Sequence, residues 1–246
     1  MNAMIFAAGL GTRLKPLTDT MPKALVPVAG EPLLAHVVNK LKAAGAEHVV
    51  VNVHHFAEQI EDYLAQNDNF GIDIQISDER QQLLETGGGL KKALPLFADR
   101  RHVLIHNVDI LSNVDLRQFY QQSLANEVTL LVSRRKTKRY LLFDDVMTLV
   151  GWTNIETGEV RSPYPDLVPQ HCQMFAFSGI HCVSCSLSSL MEGWQERFPI
   201  MDFYLRHCAE VKIKGIAVND LKLMDVGKLD TISEAEDFLR DLNTNI

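Results

Sequence analysis

The chain has 246 residues, 46% of them hydrophobic, and a formal net charge of −7. That is enough apolar material for one sizeable core, and the acidic balance disfavours a duplex-binding protein, which needs a basic surface. No apolar run approaches the roughly 20 residues that cross a bilayer, and four cysteines without an export signal (Cys172, Cys182, Cys185, Cys208) point to free thiols in a reducing cytoplasm.

The first predicted element is a short buried strand over residues 4–8, which lacks the basic start and apolar length of a leader. It empties into a loop that runs to Pro32 and carries Gly9, Gly11, Arg13, Lys15 and Lys23, stiffened by Pro16, Pro22 and Pro27. Glycines let backbone N–H groups approach an anion, and successive amides in a turn form an anion-binding nest. A loop this long and basic calls for a role beyond connection. Leu34, Val37, Val38 and Leu41 predict a helix that stops at Ala44-Gly45. Residues 47–53 read as a buried strand, 56–64 as a helix, and the alternation of 72–76 as a half-exposed strand. Repeated βαβ units imply a mostly parallel sheet, and ligands on such sheets bind beyond the carboxyl ends of the strands.

Glu85-Thr86-Gly87-Gly88-Gly89 follows as a loop, then a helix over 90–94 and a buried strand over 102–107 that ends in Val108-Asp109. Asp115 caps the next helix, and 127–133 is a strand. The basic run 134–139 reads as a solvated loop. Short hairpin-like strands over 141–177 suggest an antiparallel flap, at about 134–180, within a single domain of residues 1–246. A strand over 173–181, helices near 186–194 and 200–208, strands over 211–218 and 221–225, and an amphipathic helix over 230–242 complete the chain.

The Gly9-Leu10-Gly11 loop is not a dinucleotide fingerprint, because Leu14 stands where the third glycine belongs, and no Gly-Lys-Ser/Thr follows to make a P-loop. The glycines after Glu85 can lie against a flat ring or a phosphate, or simply mark a turn before a helix. Asp109 and Asp225 each have the look of a turn former. Together, on strand ends of one sheet, they can hold a divalent ion, since Mg²⁺ takes one or two carboxylates plus water and substrate phosphates. Zinc at Cys182 and Cys185, with His171, Cys172 and His181 nearby, lacks the spacing of a four-ligand site. No G-x-S-x-G supports a serine nucleophile.

The run from Gly9 to Thr18, then Pro22-Lys23-Ala24-Leu25-Val26-Pro27-Val28 and Gly30-Glu31-Pro32-Leu33, resembles the signature of sugar-1-phosphate nucleotidylyltransferases. The likeness continues through Glu85 to Gly89, Asp109, Phe177-Ser178-Gly179-Ile180 and Asp225-Val226-Gly227. It implies an α/β, three-layer nucleotide-diphospho-sugar transferase fold, with a mixed, mostly parallel sheet and helices on both faces. It implies that Ala7, Ala8, Gly9, Gly11, Thr12 and Arg13 surround the triphosphate, with Lys23 near the α-phosphate and the sugar phosphate. Glu85, Thr86, Gly87, Gly88 and Asn107 would complete the nucleotide site, Ser178, Gly179 and Arg139 would contact the sugar, and Asp109 and Asp225 would hold Mg²⁺. Arg13, Lys23 and Asp109 would be the catalytic set.

The substrates implied are a nucleoside triphosphate and a sugar 1-phosphate, with no nucleic acid or membrane partner, for a cytoplasmic monomer or homodimer. Among compact members the chain looks most like the N-acetylmuramate-1-phosphate uridylyltransferases of cell-wall recycling. Mannose- or heptose-1-phosphate guanylyltransferases and phosphocholine cytidylyltransferases share the first motif. Outside enzymes, the alternative is a nucleotide-binding regulatory module, against which the presence of both aspartates and Lys23 counts. Val108 stands where many members have glycine, Lys228-Leu229 where many have Thr-Pro, and the Glu-Lys-Pro segment and hexapeptide repeats of larger relatives are not found.

Overall fold

The computed structural model describes residues 1–97, 99 and 101–244. β1 (Asn2–Phe6) leads into the long loop, which is broken by short 3₁₀ turns and a small ribbon of β2 (Pro27–Val28) and β3 (Glu31–Pro32). α1 (Leu33–Ala43), β4 (His48–Val53), α2 (Ala57–Gln66), β5 (Asp73–Asp78) and α3 (Glu85–Ala93) follow. β6 (His102–Asn107) and β7 (Ile110–Ser112) flank Asp109, and α4 (Leu116–Ser123) starts on Asp115, whose Oδ1 accepts the Gln118 N–H at 2.9 Å. The rest is β8 (Val128–Ser133), β9 (Arg139–Phe143), β10 (Leu149–Asn154), β11 (Val160–Arg161), β12 (Gln173–Ser184), α5 (Ser188–Met191), α6 (Ile200–His207), β13 (Ile213–Ala217), β14 (Leu223–Asp225) and α7 (Thr231–Thr244).

Ten strands form one mixed sheet, in the order β11-β10-β9-β12-β6-β1-β4-β5, with β8 on β12 and β13 on β8. β1 is parallel to β4 and β6, and β4 to β5. These strands are rich in valine, leucine and isoleucine because helices cover both faces. Successive side chains alternate between two cores. Ala3 and Ile5 of β1 join Leu34, Ile60, Phe119 and Ala235 on one side, and Met4 and Phe6 join Leu90, Ile105 and Phe203 on the other. The result is three layers. At the carboxyl ends, Phe6 stands between Asn52 and Asn107 in register, so the long loop leaves β1 where two other strands end.

Three features depart from the sequence expectations, while the hairpin strands expected over 141–177 form as β9 to β11 and join the main sheet through β12. α3 begins at Glu85 and not at residue 90, so Gly87, Gly88 and Gly89 lie inside the helix. The helix expected over 186–194 is a 3₁₀ turn followed by the single turn of α5. Finally, Asp225 is not on the main sheet: β14 pairs only with β7, in a separate ribbon that sets Asp225 opposite Ile110.

Candidate active site

The loop after β1 has a shape only its own residues allow. Gly11 has φ +62°, and a β-carbon there would stand 2.8 Å from Thr18 Cγ2 and 3.0 Å from Lys23 Cβ. The Thr18 hydroxyl donates to the Gly11 carbonyl at 2.9 Å, as does the Leu14 N–H at 2.8 Å, which folds the loop back on itself at Thr12 and Arg13. Pro22 is extended, and the 3₁₀ turn Lys23–Leu25 carries Lys23 inward. Lys23 is 8% exposed, and its Nζ is bonded to Asp109 Oδ2. Arg13 lies against the backbone that follows β14, since a β-carbon on Gly227 would be 2.7 Å from both Arg13 Nη2 and Asp225 Oδ1. Two segments more than 200 residues apart in sequence thus meet at one point.

A buried polar pair fixes the other side of the loop. Asn52 Oδ1 accepts from the N–H groups of Ala7 (2.7 Å) and Ala8 (3.3 Å). Its Nδ2 donates to Glu79 Oε1 at 2.7 Å, and Glu79 Oε2 accepts the Leu84 N–H at 3.0 Å. Glu79 is 1% exposed. Burial raises its pKa against the hydrogen bonds from Leu84 and Asn52. Neither residue was singled out from the sequence, although the polar Asn52 at the end of Val49-Val50-Val51 was a visible interruption of a buried strand.

A cleft of about 360 Å³ opens between these two sides, lined by Ala7, Ala8, Gly9, Lys23, Asn107 and Asp109 on one wall and Glu85 and Thr86 on the other. Asn52 lies at its base with Phe6. Asp225 stands beside Asp109: the Val226 N–H donates to the Asp109 carbonyl at 2.8 Å. Burial raises the pKa of Asp225, and the charge of Asp109 adds to the rise, while Lys23, Arg13 and Arg135 oppose it. Two carboxylates that repel each other in a partly buried place suit a shared divalent cation. Among the described residues no third His, Cys, Asp or Glu joins them to make a closed cage. The donor set therefore fits a hard cation that keeps open positions, such as Mg²⁺, better than a structural zinc.

Not every candidate faces this cleft. The N–H groups of Gly87 and Gly88 both donate to the Phe198 carbonyl (2.8 and 3.2 Å), so they staple α3 to the segment before α6. A β-carbon on Gly88 would be 2.0 Å from the Glu196 carbonyl oxygen, so here glycine serves close packing. Thr86 Oγ1 accepts from the Ile200 N–H, and Glu85 pairs with Arg197 at 2.9 Å. Ser178 is buried, with its hydroxyl unpartnered by the protein, and Gly179 lies against Asn107 at the irregular point of β12. Arg139 belongs to a different cleft, on the flap strands.

The model of the Nucleotidyl transferase family matches residues 2–140, more than half of the chain. An N-acetylmuramate alpha-1-phosphate uridylyltransferase of Caulobacter vibrioides is 51% identical over 109 residues, which are 44% of this chain and 45% of that one. The enzyme of the same name from Neisseria meningitidis is 42% identical over 121 residues, 49% of this chain and 52% of that one. The chain belongs to the sugar-1-phosphate nucleotidylyltransferases. It matches these two curated relatives over about half of their length. Among solved structures, the inositol-1-phosphate CTP transferase from T. maritima superposes with a TM-score of 0.76 at 15% identity, covering 98% of this chain and 95% of that one, so the fold is shared throughout. The family match contains Arg13, Lys23, Glu85, Asn107, Asp109 and Arg139. Ser178, Gly179 and Asp225 lie beyond it.

Proposed function

We propose that the protein is a cytoplasmic, Mg²⁺-dependent uridylyltransferase that joins UTP to N-acetylmuramate α-1-phosphate and releases pyrophosphate. The observation that carries the reading is the convergence of Arg13, Lys23, Asp109 and Asp225 beside a cleft lined by the loop residues Ala7, Ala8 and Gly9. The names of the two relatives above support the choice of base and sugar. On this reading residues 1–246 act as one domain, as a monomer or homodimer, with about 134–180 as the flap on the acceptor side.

In the reaction, an oxygen of the sugar phosphate attacks the α-phosphorus. The bond from that phosphorus to the bridging oxygen breaks, and pyrophosphate leaves with the electron pair. Both reactants are polyanions, so alignment and charge neutralisation dominate catalysis, and no protein nucleophile is needed. Asp109 and Asp225 would hold Mg²⁺, which supplies positive charge at the reacting phosphates. Lys23 presents a fixed ammonium beside Asp109, where the α-phosphate and sugar phosphate meet. Arg13 and the amides around Gly9 and Gly11 hold the rest of the triphosphate. Asn52 positions the Ala7 and Ala8 backbone, and Glu85 and Thr86 wall the base side.

A pyrophosphate-release panel tests this, with UTP, GTP, CTP, ATP and dTTP each offered N-acetylmuramate, N-acetylglucosamine, mannose and heptose 1-phosphates and phosphocholine. The expected maximum is UTP with N-acetylmuramate 1-phosphate. A maximum with GTP and mannose or heptose 1-phosphate, or with CTP and phosphocholine, overturns the substrate assignment. Nucleotide binding without turnover on any acceptor would mark a regulatory module instead.

A further inference from the structure

The two walls of the catalytic cleft come from separate parts of the chain: Ala7, Ala8 and Gly9 after β1, and Glu85 and Thr86 at the start of α3. One side chain is bonded toward both. Glu79 lies just past the end of β5, and its Oε1 accepts from Asn52 Nδ2 at 2.7 Å, while Asn52 holds the N–H groups of Ala7 and Ala8. Its Oε2 accepts the Leu84 N–H at 3.0 Å, directly before Glu85. The Leu84 carbonyl accepts from the Phe198 N–H at 3.2 Å, so both backbone groups of Leu84 are fixed. Glu85 follows at φ +61°, in the left-handed region that a side chain rarely adopts. The main chain of Glu79 is tied down as well. Its N–H donates to the Val53 carbonyl (2.8 Å), and its carbonyl accepts from the Gln82 N–H (3.0 Å) and from His54 Nδ1 (2.7 Å).

The chemistry of the pair dictates its residue types. Asn52 Oδ1 takes two N–H donors, so the amide has one orientation and turns Nδ2 toward Glu79. Glu79 then meets donors on both sides, and a carboxylate offers two acceptors and no donor. A carboxylate is a costly core residue, yet α3 keeps space for it. A β-carbon on Gly89 would stand 2.7 Å from Glu79 Oε1 and 3.0 Å from Asn52 Nδ2. Glycine weakens a helix interior, and here it makes room for the carboxylate.

Building on the nucleotidyltransferase reading above, we propose that Glu79 is a positioning residue that sets the spacing between the triphosphate wall and the base wall, so that one nucleoside triphosphate engages both. It acts through Asn52 on the Ala7 and Ala8 amides, and through Leu84 on Glu85 and Thr86. A ligand that spans two half-sites gains from their fixed separation, whereas a fragment that fills one of them does not.

Whole ligand and fragments therefore tell a spacer from an ordinary core residue. The measurement is the dissociation constant of the full chain for three probes in the presence of Mg²⁺: the tightest-binding of UTP, GTP, CTP, ATP and dTTP, its free nucleoside, and inorganic tripolyphosphate. Glu79→Gln sets an amide N–H against a donor on one side. It should weaken the nucleoside triphosphate by on the order of tenfold and each fragment by no more than about twofold. Combining Asn52→Asp with Glu79→Gln moves the charge to the other partner, lets each of these hydrogen bonds form again, and should recover most of the loss. Gly89→Ala crowds the same carboxylate without removing it and should give the same pattern, more weakly, which covers the case of a Glu79→Gln chain that does not fold. Parallel losses for all three probes, an unchanged triphosphate affinity in Glu79→Gln or in Gly89→Ala, or no recovery in the exchanged pair overturns the proposal. Tightest binding of a triphosphate other than UTP, with the fragment pattern intact, removes the uridylyl assignment and keeps the spacer. Tightest binding of UTP with parallel losses does the reverse, and a wild-type chain that binds none of the five removes both.

Discussion

The parallel and antiparallel halves of the sheet each present a cleft, and they build it by different means. On the parallel half the working parts are backbone: the ends of β1, β4 and β6, the Gly11 turn, and the Ala7 and Ala8 amides held by Asn52 and Glu79. On the antiparallel half the working parts are side chains standing on a regular ladder, with arginines at the rim of an apolar floor. A ladder tolerates exchange of one outward side chain, because its hydrogen bonds do not depend on it. A loop whose turn needs glycine and whose amides need one particular asparagine does not. The loop side is thus the rigidly specified one, and the flap side is the adjustable one.

Substitutions can break or sharpen that contrast. The largest effect is expected at the carboxylates. Asp109→Ala or Asp225→Ala should lower pyrophosphate release by roughly 10³-fold or more through lost charge stabilisation, with melting temperature nearly unchanged for Asp225→Ala and lowered for Asp109→Ala, which leaves the buried Lys23 ammonium unpaired. Undiminished release from both variants would remove the metal assignment. Next is Asn52→Leu, which frees the Ala7 and Ala8 amides and leaves the Glu79 carboxyl without its side-chain partner. It should cost about 2–3 kcal/mol in denaturant unfolding and weaken nucleotide binding, while flap-side ligand binding holds. If nucleotide affinity were untouched, Asn52 would be no more than a core residue.

Gly88→Ala drives a methyl group against the Glu196 carbonyl and should cost roughly 1–3 kcal/mol, because backbone has to move. A neutral result would mean that the α3 glycines are not there for packing.

A further effect, comparable with that of Gly88→Ala, appears only in acid. Burial lowers His181 to about 3 and His106 to about 4. Each is held neutral in the fold, so the stability it permits is complete above the unfolded value near 6.5 and is lost as pH falls toward the folded value. The slope is about 1.4 kcal/mol per pH unit per histidine. Both ring nitrogens of His181 are buried without a protein partner, and Phe6, Phe177 and Tyr204 surround the ring. His181→Phe should therefore fold and should shed its share of the slope between pH 6 and 4.5, read as midpoint denaturant concentration against pH. An unchanged slope would show that His181 does not contribute to acid sensitivity.

How legible each part was follows from the range over which its residues interact. The loop from Gly9 to Lys23, the Asp115 cap and the closing helix depend on neighbours in sequence, and they stand where residue type and spacing put them. The start of α3 was hidden because three successive glycines argue against helix. What overrides that preference is the Phe198 carbonyl, more than 100 residues downstream. The Asn52–Glu79 pair was hidden for the same reason, its partners being 27 residues apart, one on β4 and the other just past the end of β5. Asp109 and Asp225 were visible singly, but their meeting depends on β7 pairing β14 in a ribbon that no local pattern announces. The rim of the flap cleft depends on hairpin register, so Arg139 could be picked out while its company with Trp152 and Arg161 could not.

One segment touches both halves. Residues 196–200 are bonded to α3 through Gly87, Gly88, Leu84 and Thr86, and they run directly into α6, which walls the flap cleft with Met201, Asp202 and Leu205. None of those anchors lies within 134–180. A chimera that takes its flap from a relative with another acceptor would therefore inherit a new rim on an old frame, with the post between the two pockets unmoved. If the flap carries the acceptor, as proposed, its contacts can drift within 134–180 while the segment that spaces the two clefts stays under separate selection.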